Sequence, residues 1–296
     1  IYFWQDAPAV LAEIKRVMKP NGQFFLTFRS EDFMKNLPFT QFGFTMYSKE
    51  KASEILLDIG YYRLGFYWNP FETDKDHNFI PGTKFSDVVS LYYLDVDLKN
   101  ILNKALNRIE INLRTQLIYY VSNEYPDNPT WFASKKVMYS NFVNEFPKKS
   151  YTEQFKLSNK PIKKHHVNYP NDIYAPAWKT LEFLTFGSIY TIYFSLKDEG
   201  LKKQIANLYG IKKVKVFQNF LKTVIFIRNI CAHSGILFDS NTPKEIETTP
   251  LIIFNNNNRH SLDSSIKVVL YFLNIISTSR KENDWKRNYR IVWKIW

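Results

Sequence analysis

The sequence predicts a mainly α-helical protein with a short α/β appendage at its N-terminus. Apolar residues make up 45 % of the 296 residues, which is enough to build a sizeable core. Through most of the chain they recur at intervals of three and four, the spacing of one face of a helix. An apolar run that favours a strand, residues 23–28, lies near the N-terminus.

The appendage comprises residues 1–47. Leu11, Ile14, Val17 and Met18 form a helical face, and the letters KPNG then turn the chain towards the predicted strand. Such a helix and strand normally need a larger sheet to join. This segment, with FTQFGFTMYSKE after it, resembles the C-terminal part of class I S-adenosylmethionine-dependent methyltransferases. Because the glycine-rich cofactor loop and acidic ribose-binding strand of that family are missing from this sequence, we interpret residues 1–47 as a methyltransferase-like fragment without methyltransferase activity.

Residues 48–296 carry the helical pattern. Ser48 is a candidate N-cap, and the apolar spacing of residues 98–120 predicts one long helix that ends before Pro126. Residues 127–175 have a weaker pattern, typical of a short helix and exposed loops. Helical spacing then returns in four segments, residues 175–196, 199–210, 214–235 and 262–280.

Charge and cysteine content narrow the class of protein. The net charge of +12 favours a polyanionic partner, either nucleic acid or an acidic membrane surface. No run reaches the roughly 18 apolar residues that span a bilayer, so we expect no membrane segment. Cys231 is the only cysteine in the sequence, which excludes an internal disulfide framework and a cysteine-based zinc site. These features fit a cytoplasmic protein.

The hexapeptide RNICAH, residues 228–233, closes one predicted helix. Asn229 and His233 are four residues apart and share a face, and the long side chain of Arg228 can reach the same pocket. RNA cleavage without a metal needs a base, an acid and a cation, which His and Arg side chains supply near neutral pH. One chain offers one such pair, so a symmetric dimer would supply the full set. On spacing alone, however, an ordinary basic helix C-terminus followed by Gly235 is the better interpretation.

Four ordered blocks change that interpretation: residues 59–71, 82–116, 176–193 and 226–239. They are similar to the Abi-like (abortive infection) family, and the resemblance runs through most of residues 48–296. That family resembles a branch of the HEPN superfamily, whose R-x4–6-H motif forms a ribonuclease site across a dimer. The resemblance implies a HEPN-like helical domain with Arg228 and His233 as the catalytic pair and Asn229 as the polar residue that orients one of them. It further implies a homodimer with a composite site, no metal and no cofactor, and products with 2′,3′-cyclic phosphate and 5′-hydroxyl ends.

Arg108, Glu110 and Arg114 form a second polar group, within the predicted long helix. Glu110 and Arg114 are four residues apart in the favourable order for a helical ion pair. The family resemblance also marks these positions. We interpret the group as a buried network that supports the motif helix, in preference to a direct catalytic role.

Basic residues flank the motif helix on its N-terminal side. As a binding surface they would contact RNA phosphates, and Tyr209 would stack on a base; as an alternative they are a solvated face. The lysines concerned are Lys202, Lys203, Lys212, Lys213 and Lys215. His165 and His166 are adjacent and lack a nearby acidic pair, so we expect a solvated basic loop there and no metal site.

The family resemblance therefore implies an antiphage abortive-infection protein that acts as a metal-independent endoribonuclease on RNA. The alternative is a non-catalytic RNA-binding module of the same fold, held by a small RNA partner. Either a small RNA or a protein could serve as the antitoxin.

Overall fold

A computed structural model describes residues 49–276, except residues 75, 77, 234, 256 and 257. These residues are mainly helical and form no β-sheet, which confirms the predicted fold class for this part of the chain. The helix and strand predicted within residues 1–47 lie outside the described residues. No helix in the described part is long and apolar enough to cross a bilayer.

The chain divides into two compact units, residues 1–97 and 98–296. In the first unit, helices α1 (Lys49–Ile59) and α2 (Tyr61–Trp68) are joined at Gly60. Gly60 has φ +89°, a conformation that glycine adopts without the steric cost of a side chain. The buried Tyr67 hydroxyl donates to Asp95 Oδ2 at 2.8 Å. Burial is the main cause that raises the pKa of Tyr67, and the hydrogen bond to the Asp95 carboxylate is the second.

Helix α3 (Phe85–Glu124) is the longest described helix, and it ends before Pro126 as the apolar spacing predicted. Eight further helices follow: α4 (Ser140–Lys149), α5 (Glu153–Ser158), α6 (Lys160–Asn168), α7 (Ala177–Thr180), α8 (Phe186–Ser195), α9 (Glu199–Asn207), α10 (Val214–Ala232) and α11 (Leu262–Ile276). Single 3-10 turns span Asn69–Phe71, Trp131–Ala133 and Leu181–Phe183.

Helices α3 and α10 each bury one face in the core of the second unit. One face of α3 is buried from Leu102 to Leu117, and one face of α10 is buried from Phe217 to Ile227. Each row has the three- and four-residue spacing of a helical face, so hydrophobic burial fixes which way each helix points. The opposite face of α10 stays at the surface, and it carries Lys222, Asn229 and His233.

Helices α8 and α10 run antiparallel. The Tyr193 ring meets the Phe217 ring edge-on with centroids 5.3 Å apart, and the Lys222 ammonium lies 5.7 Å from the Tyr190 centroid. The earlier residue of α8, Tyr190, therefore lies beside the later residue of α10, Lys222. The N-terminus of α8 therefore lies towards the end of α10 that carries the RNICAH motif.

Residues 127–175 contain more helix than the sequence predicted. The prediction of a solvated loop at His165 and His166 is wrong, because both lie in α6, which begins with Pro161 in its first turn and is anchored by the buried Ile162. His165 is 5 % exposed, and its Nε2 lies 3.0 Å from Asp172 Oδ2. The Nε2 of His166 lies 2.9 Å from the hydroxyl of Tyr151.

Candidate active site at the end of helix α10

The RNICAH motif forms the last turn of α10 and its C-cap. The helix ends at Ala232, and His233 leaves it with φ −105° and ψ 25°. The N–H of His233 still donates to the carbonyl of Asn229 at 3.0 Å. The side chains of Asn229 and His233 are both exposed. The predicted catalytic histidine thus stands at the helix terminus, where a large substrate can reach it.

Gly235, two residues after His233, is held from two sides. The N–H of Gly235 donates to the carbonyl of Ile230 at 2.9 Å, which closes the helix C-terminus. A Cβ at position 235 would lie 3.2 Å from the Cα, Cγ2 and carbonyl oxygen of Ile230, so this close approach favours glycine. From the other side, the Nζ of Lys99 donates to the Gly235 carbonyl at 3.0 Å. These contacts hold Gly235 against the end of α10 and against α3.

Lys99 is a site residue that sequence reasoning missed. It is 7 % exposed and lies on α3, far from the motif in sequence. The signal for it was a lysine directly after Leu98, inside an otherwise apolar helical pattern. Lysine is seldom so deeply buried without a partner, so its position pointed to a specific contact.

A buried ion network connects α3 to the motif. Glu110 Oε1 accepts from Arg114 Nη2 at 2.8 Å, and Glu110 Oε2 accepts from Arg228 Nε at 3.3 Å. Arg114 Nη2 also donates to the carbonyl of Leu184 at 2.9 Å. The side chains of Glu110 and Arg114 are 10 % and 9 % exposed, and that of Arg228 is 25 % exposed. One carboxylate thus joins two guanidinium groups, of which only the second reaches the surface.

This network orients Arg228. Its Nε faces Glu110, and its Nη1 lies 3.5 Å from Asn229 Oδ1, a long contact. A guanidinium held along one edge presents the remainder of its fork of donors in a fixed direction. The structure therefore brings Arg228, Asn229, Glu110 and Arg114 together as predicted residues, and links His233 to Asn229 through the backbone. The predicted buried group of Arg108, Glu110 and Arg114 is therefore brought together only in part. Glu110 pairs with Arg114 and Arg228, and Arg108 lies half-buried on α3 outside these pairs.

Comparison with known proteins agrees with this architecture. The family model described as Abi-like protein matches residues 54–239, more than half of the chain, including α3 and α10 in full. The chain belongs to the Abi-like family. Family membership associates it with abortive infection. Comparisons with curated proteins and with solved structures gave no match.

Two of the RNA contacts predicted for this Abi-like protein are wrong in the structure. Lys202 is 3 % exposed and forms an ion pair with Glu199 at 2.8 Å. Tyr209 is 2 % exposed, stacks on Phe217 and donates its hydroxyl to Asn112 Oδ1 at 2.7 Å. Both side chains are inside the protein, because the apolar face of α9 and the turn after it pack on the core. Neither can touch RNA in this conformation.

The remaining predicted lysines of the Abi-like protein are at the surface. Lys203, Lys212 and Lys213 are exposed, and the last two immediately precede α10. Lys215 is exposed as well, and its Nζ lies 3.0 Å from Glu247 Oε1, which offsets its charge locally. An RNA-binding role and a solvated face both fit these positions.

A cavity of about 200 Å³ lies beside α10 in the Abi-like protein. Lys222 and Phe226 of α10 form one wall, and Phe226 precedes Asn229 by one helical turn. The full lining is Asn219, Lys222, Thr223, Phe226, Thr242, Pro243 and Lys244. Within the described residues, no group of three or more His, Cys, Asp or Glu side chains is arranged to hold a metal ion.

Proposed function

We propose that this Abi-like protein is an abortive-infection endoribonuclease of the HEPN type, which cleaves RNA without a metal ion. The observation that carries the proposal is Arg228, held by the buried Glu110 and presented at the surface end of α10 beside the exposed Asn229 and His233. An arginine whose orientation is set by a buried carboxylate is a preorganised cation for a phosphate.

The reaction is an attack by the 2′-hydroxyl of one nucleotide on the adjacent phosphorus. His233 acts as general base or general acid: it takes the 2′-hydroxyl proton, or it gives a proton to the departing 5′-oxygen. The P–O5′ bond breaks as the P–O2′ bond forms, which leaves a 2′,3′-cyclic phosphate and a 5′-hydroxyl. Arg228 stabilises the charge that builds on the phosphorane oxygens, and Asn229 orients one of the two.

A second copy of the chain completes the site. One chain supplies a single Arg228–His233 pair, whereas the reaction uses a base and an acid together. Two motifs that face each other across a two-fold axis supply both, since a symmetric dimer presents the same surface twice. RNA, a second copy of this chain and an antitoxin, either a small RNA or a protein, are thus the proposed partners.

The test compares cleavage and binding of RNA by the wild-type protein and by His233→Ala. We expect His233→Ala to keep its helical circular dichroism, because a helix end tolerates alanine well. It should also keep RNA binding but lose cleavage, because the imidazole that transfers the proton is gone. His260→Ala is the matched control, since His260 is also exposed but lies outside the motif. EDTA should leave the wild-type rate unchanged, and product ends should carry cyclic phosphate.

Two results would contradict the nuclease proposal. If folded His233→Ala cleaves RNA as fast as wild type, the motif is an ordinary helix terminus. If neither protein cleaves but both bind RNA tightly, the protein is the non-catalytic RNA-binding module instead, and any small RNA that copurifies identifies its partner.

A further inference from the structure

A row of aromatic rings and lysine ammonium groups crosses α8 and its neighbours. Tyr139 and Phe194 are 47 % and 49 % exposed. The rings of Phe194 and Tyr190 are stacked with centroids 6.2 Å apart at 25°. Lys202 Nζ lies 5.4 Å from the Tyr139 centroid and 5.9 Å from that of Phe194. Together with Lys222, which covers Tyr190, these residues form what we call the aromatic strip.

The buried Lys202 gives the strip rigidity. Its ammonium is held between two rings and paired with Glu199, so the rings keep a fixed spacing. Its depth explains why it does not act as a direct phosphate contact. Lys222, by contrast, is exposed at the other end of the strip, so its charge is available to a ligand.

The strip leads to the candidate active site. Helix α8 starts two residues after Leu184, whose carbonyl binds the same Arg114 that fixes Glu110. Tyr190 and Phe194 follow Phe186, the first residue of α8, by four and eight residues, or about 6 and 12 Å along the helix at 1.5 Å per residue. Because α8 and α10 run antiparallel, movement from Phe194 to Tyr190 is movement towards Arg228.

One position of α8 between the strip and the site, Gly187, carries no side chain. Gly187 lies one turn before Tyr190 on the same face of α8. A Cβ at this position would have only the Thr185 hydroxyl within 4 Å, at 3.9 Å. No side chain at position 187 therefore stands between the rings and the N-terminus of α8.

The geometry points to a single-stranded RNA path. We infer that the aromatic strip binds the nucleotides that flank the cleaved phosphate, an inference that rests on the proposed function and assigns the substrate's route. Bases stack on exposed rings without regard to sequence, while the exposed ammonium of Lys222 contacts a phosphate between them. A chain with net charge +12 favours a polyanion over an apolar protein partner.

The test measures the binding of a fluorescent 2′-O-methyl oligouridine, which lacks the attacking hydroxyl and cannot be cleaved. Phe194→Ala and Lys222→Gln are the strip variants. Phe194→Ala should weaken binding roughly tenfold, since stacking on one ring is worth about that much by alanine substitution. Tyr119→Ala is the matched control, because Tyr119 is 59 % exposed and lies on α3, which contributes no residue to the strip. It should bind as wild type does.

A second pair of variants adds a group instead of removing one. Gly187→Glu places a carboxylate on the path, and an acidic residue in the first turn of a helix favours folding. We expect it to weaken binding at low salt, whereas the neutral Gly187→Gln should weaken it much less. Circular dichroism verifies that each variant is folded.

The outcomes separate the strip from the nuclease proposal. If the strip variants lose binding while wild type cleaves no unmodified RNA, RNA binding by the strip is supported and the nuclease proposal is contradicted. If wild type cleaves RNA and all strip variants bind the oligonucleotide as tightly as wild type, the strip is overturned alone. A change in oligomeric state at unchanged RNA affinity also overturns it, because the strip is then a protein-contact surface.

Discussion

The Nε of Arg228 lies 3.3 Å from Oε2 of Glu110, although the two residues are 118 positions apart in the chain. Glu110 is in turn held by Arg114 at 2.8 Å, and Arg114 is tied to the Leu184 carbonyl. Two helices and the start of α8 are thereby fixed relative to a single guanidinium. In the proposed nuclease, Arg228 is thus oriented without help from a substrate, which is the condition for strong electrostatic stabilisation of a transition state.

Glu110→Gln tests this relationship. The amide keeps the shape of the side chain but loses the charge that holds both arginines, so we expect kcat to fall about tenfold or more while the KM for RNA changes less. The variant also leaves buried charge uncompensated, at a cost of roughly 3–5 kcal/mol in the free energy of unfolding. Steady-state kinetics below the melting temperature measure the first effect, and thermal unfolding measures the second.

A double-mutant cycle distinguishes positioning from general destabilisation. If Glu110 acts through Arg228, Glu110→Gln should cost little further activity in a protein that already carries Arg228→Lys. Additive losses would contradict the positioning role. Glu145→Gln is the control, because Glu145 is a carboxylate with a 45 % exposed side chain that pairs with Lys148 and Lys149 on α4.

Arg228→Lys should itself abolish most of the cleavage. Lysine keeps the charge but offers a single ammonium in place of the planar fork, and it cannot bind Glu110 and a phosphate along two separate edges. We expect a loss of roughly a hundredfold or more in kcat, the size seen when a transition-state donor is removed. If the Arg228→Lys protein cleaves at the wild-type rate, only the charge at this position is needed.

Much of this site followed from the sequence, and the reasons are physical. The long apolar periodicity of α3 and α10 determined which residues face the core, and Glu110 and Arg114 stood out as charges inside that pattern. Helical spacing reports direction around one helix, and so it placed Asn229 and His233 together. It carries no information about a contact across the fold, which is why Lys99 and its bond to Gly235 were missed.

The errors have a common cause. An RNA-binding surface and a solvated face both require Lys202 and Tyr209 to be accessible, yet the structure buries both. A lysine is buried when its ammonium finds an acid and aromatic faces, and those partners come from Glu199, Tyr139 and Phe194. Such partners are visible only once the helices are packed.

Assembly provides a further prediction. Because one chain holds one Arg228–His233 pair, light scattering should give the mass of a dimer at the concentrations where the protein cleaves RNA. Dilution into the monomer range should reduce the cleavage rate per chain. A strict monomer with full activity would contradict the composite site, although Arg228 and His233 could still act within one chain.

The exposed lysines before α10 are tested by salt dependence. RNA affinity should fall with rising salt, by roughly 0.7 log units per tenfold change for each phosphate contacted on a single strand. Replacing Lys212 and Lys213 with Gln should flatten that slope, and Lys215→Gln should add less because Lys215 already pairs with Glu247. Lys148→Gln with Lys149→Gln, on α4, is the matched control. An unchanged slope after removal of Lys212 and Lys213 would make them a solvated face.

From the lowered pKa of His166 in helix α6 we expect the folding stability to depend on pH. Burial, and then the neighbouring His165, lowers the pKa of His166 below its ordinary value of 6.5. Above about pH 6.5 the histidine is neutral in both the folded and the unfolded protein, so it has no effect on stability there. As the pH falls below that value, the unfolded chain takes up a proton that folded His166 resists, and the free energy of unfolding decreases.

His166→Gln isolates this contribution, because the amide can keep the hydrogen bond to Tyr151 but does not titrate. Urea unfolding of this variant should therefore lose less stability than wild type between neutral pH and pH 5. Identical pH profiles for wild type and His166→Gln would show that His166 takes up its proton equally well in the folded protein.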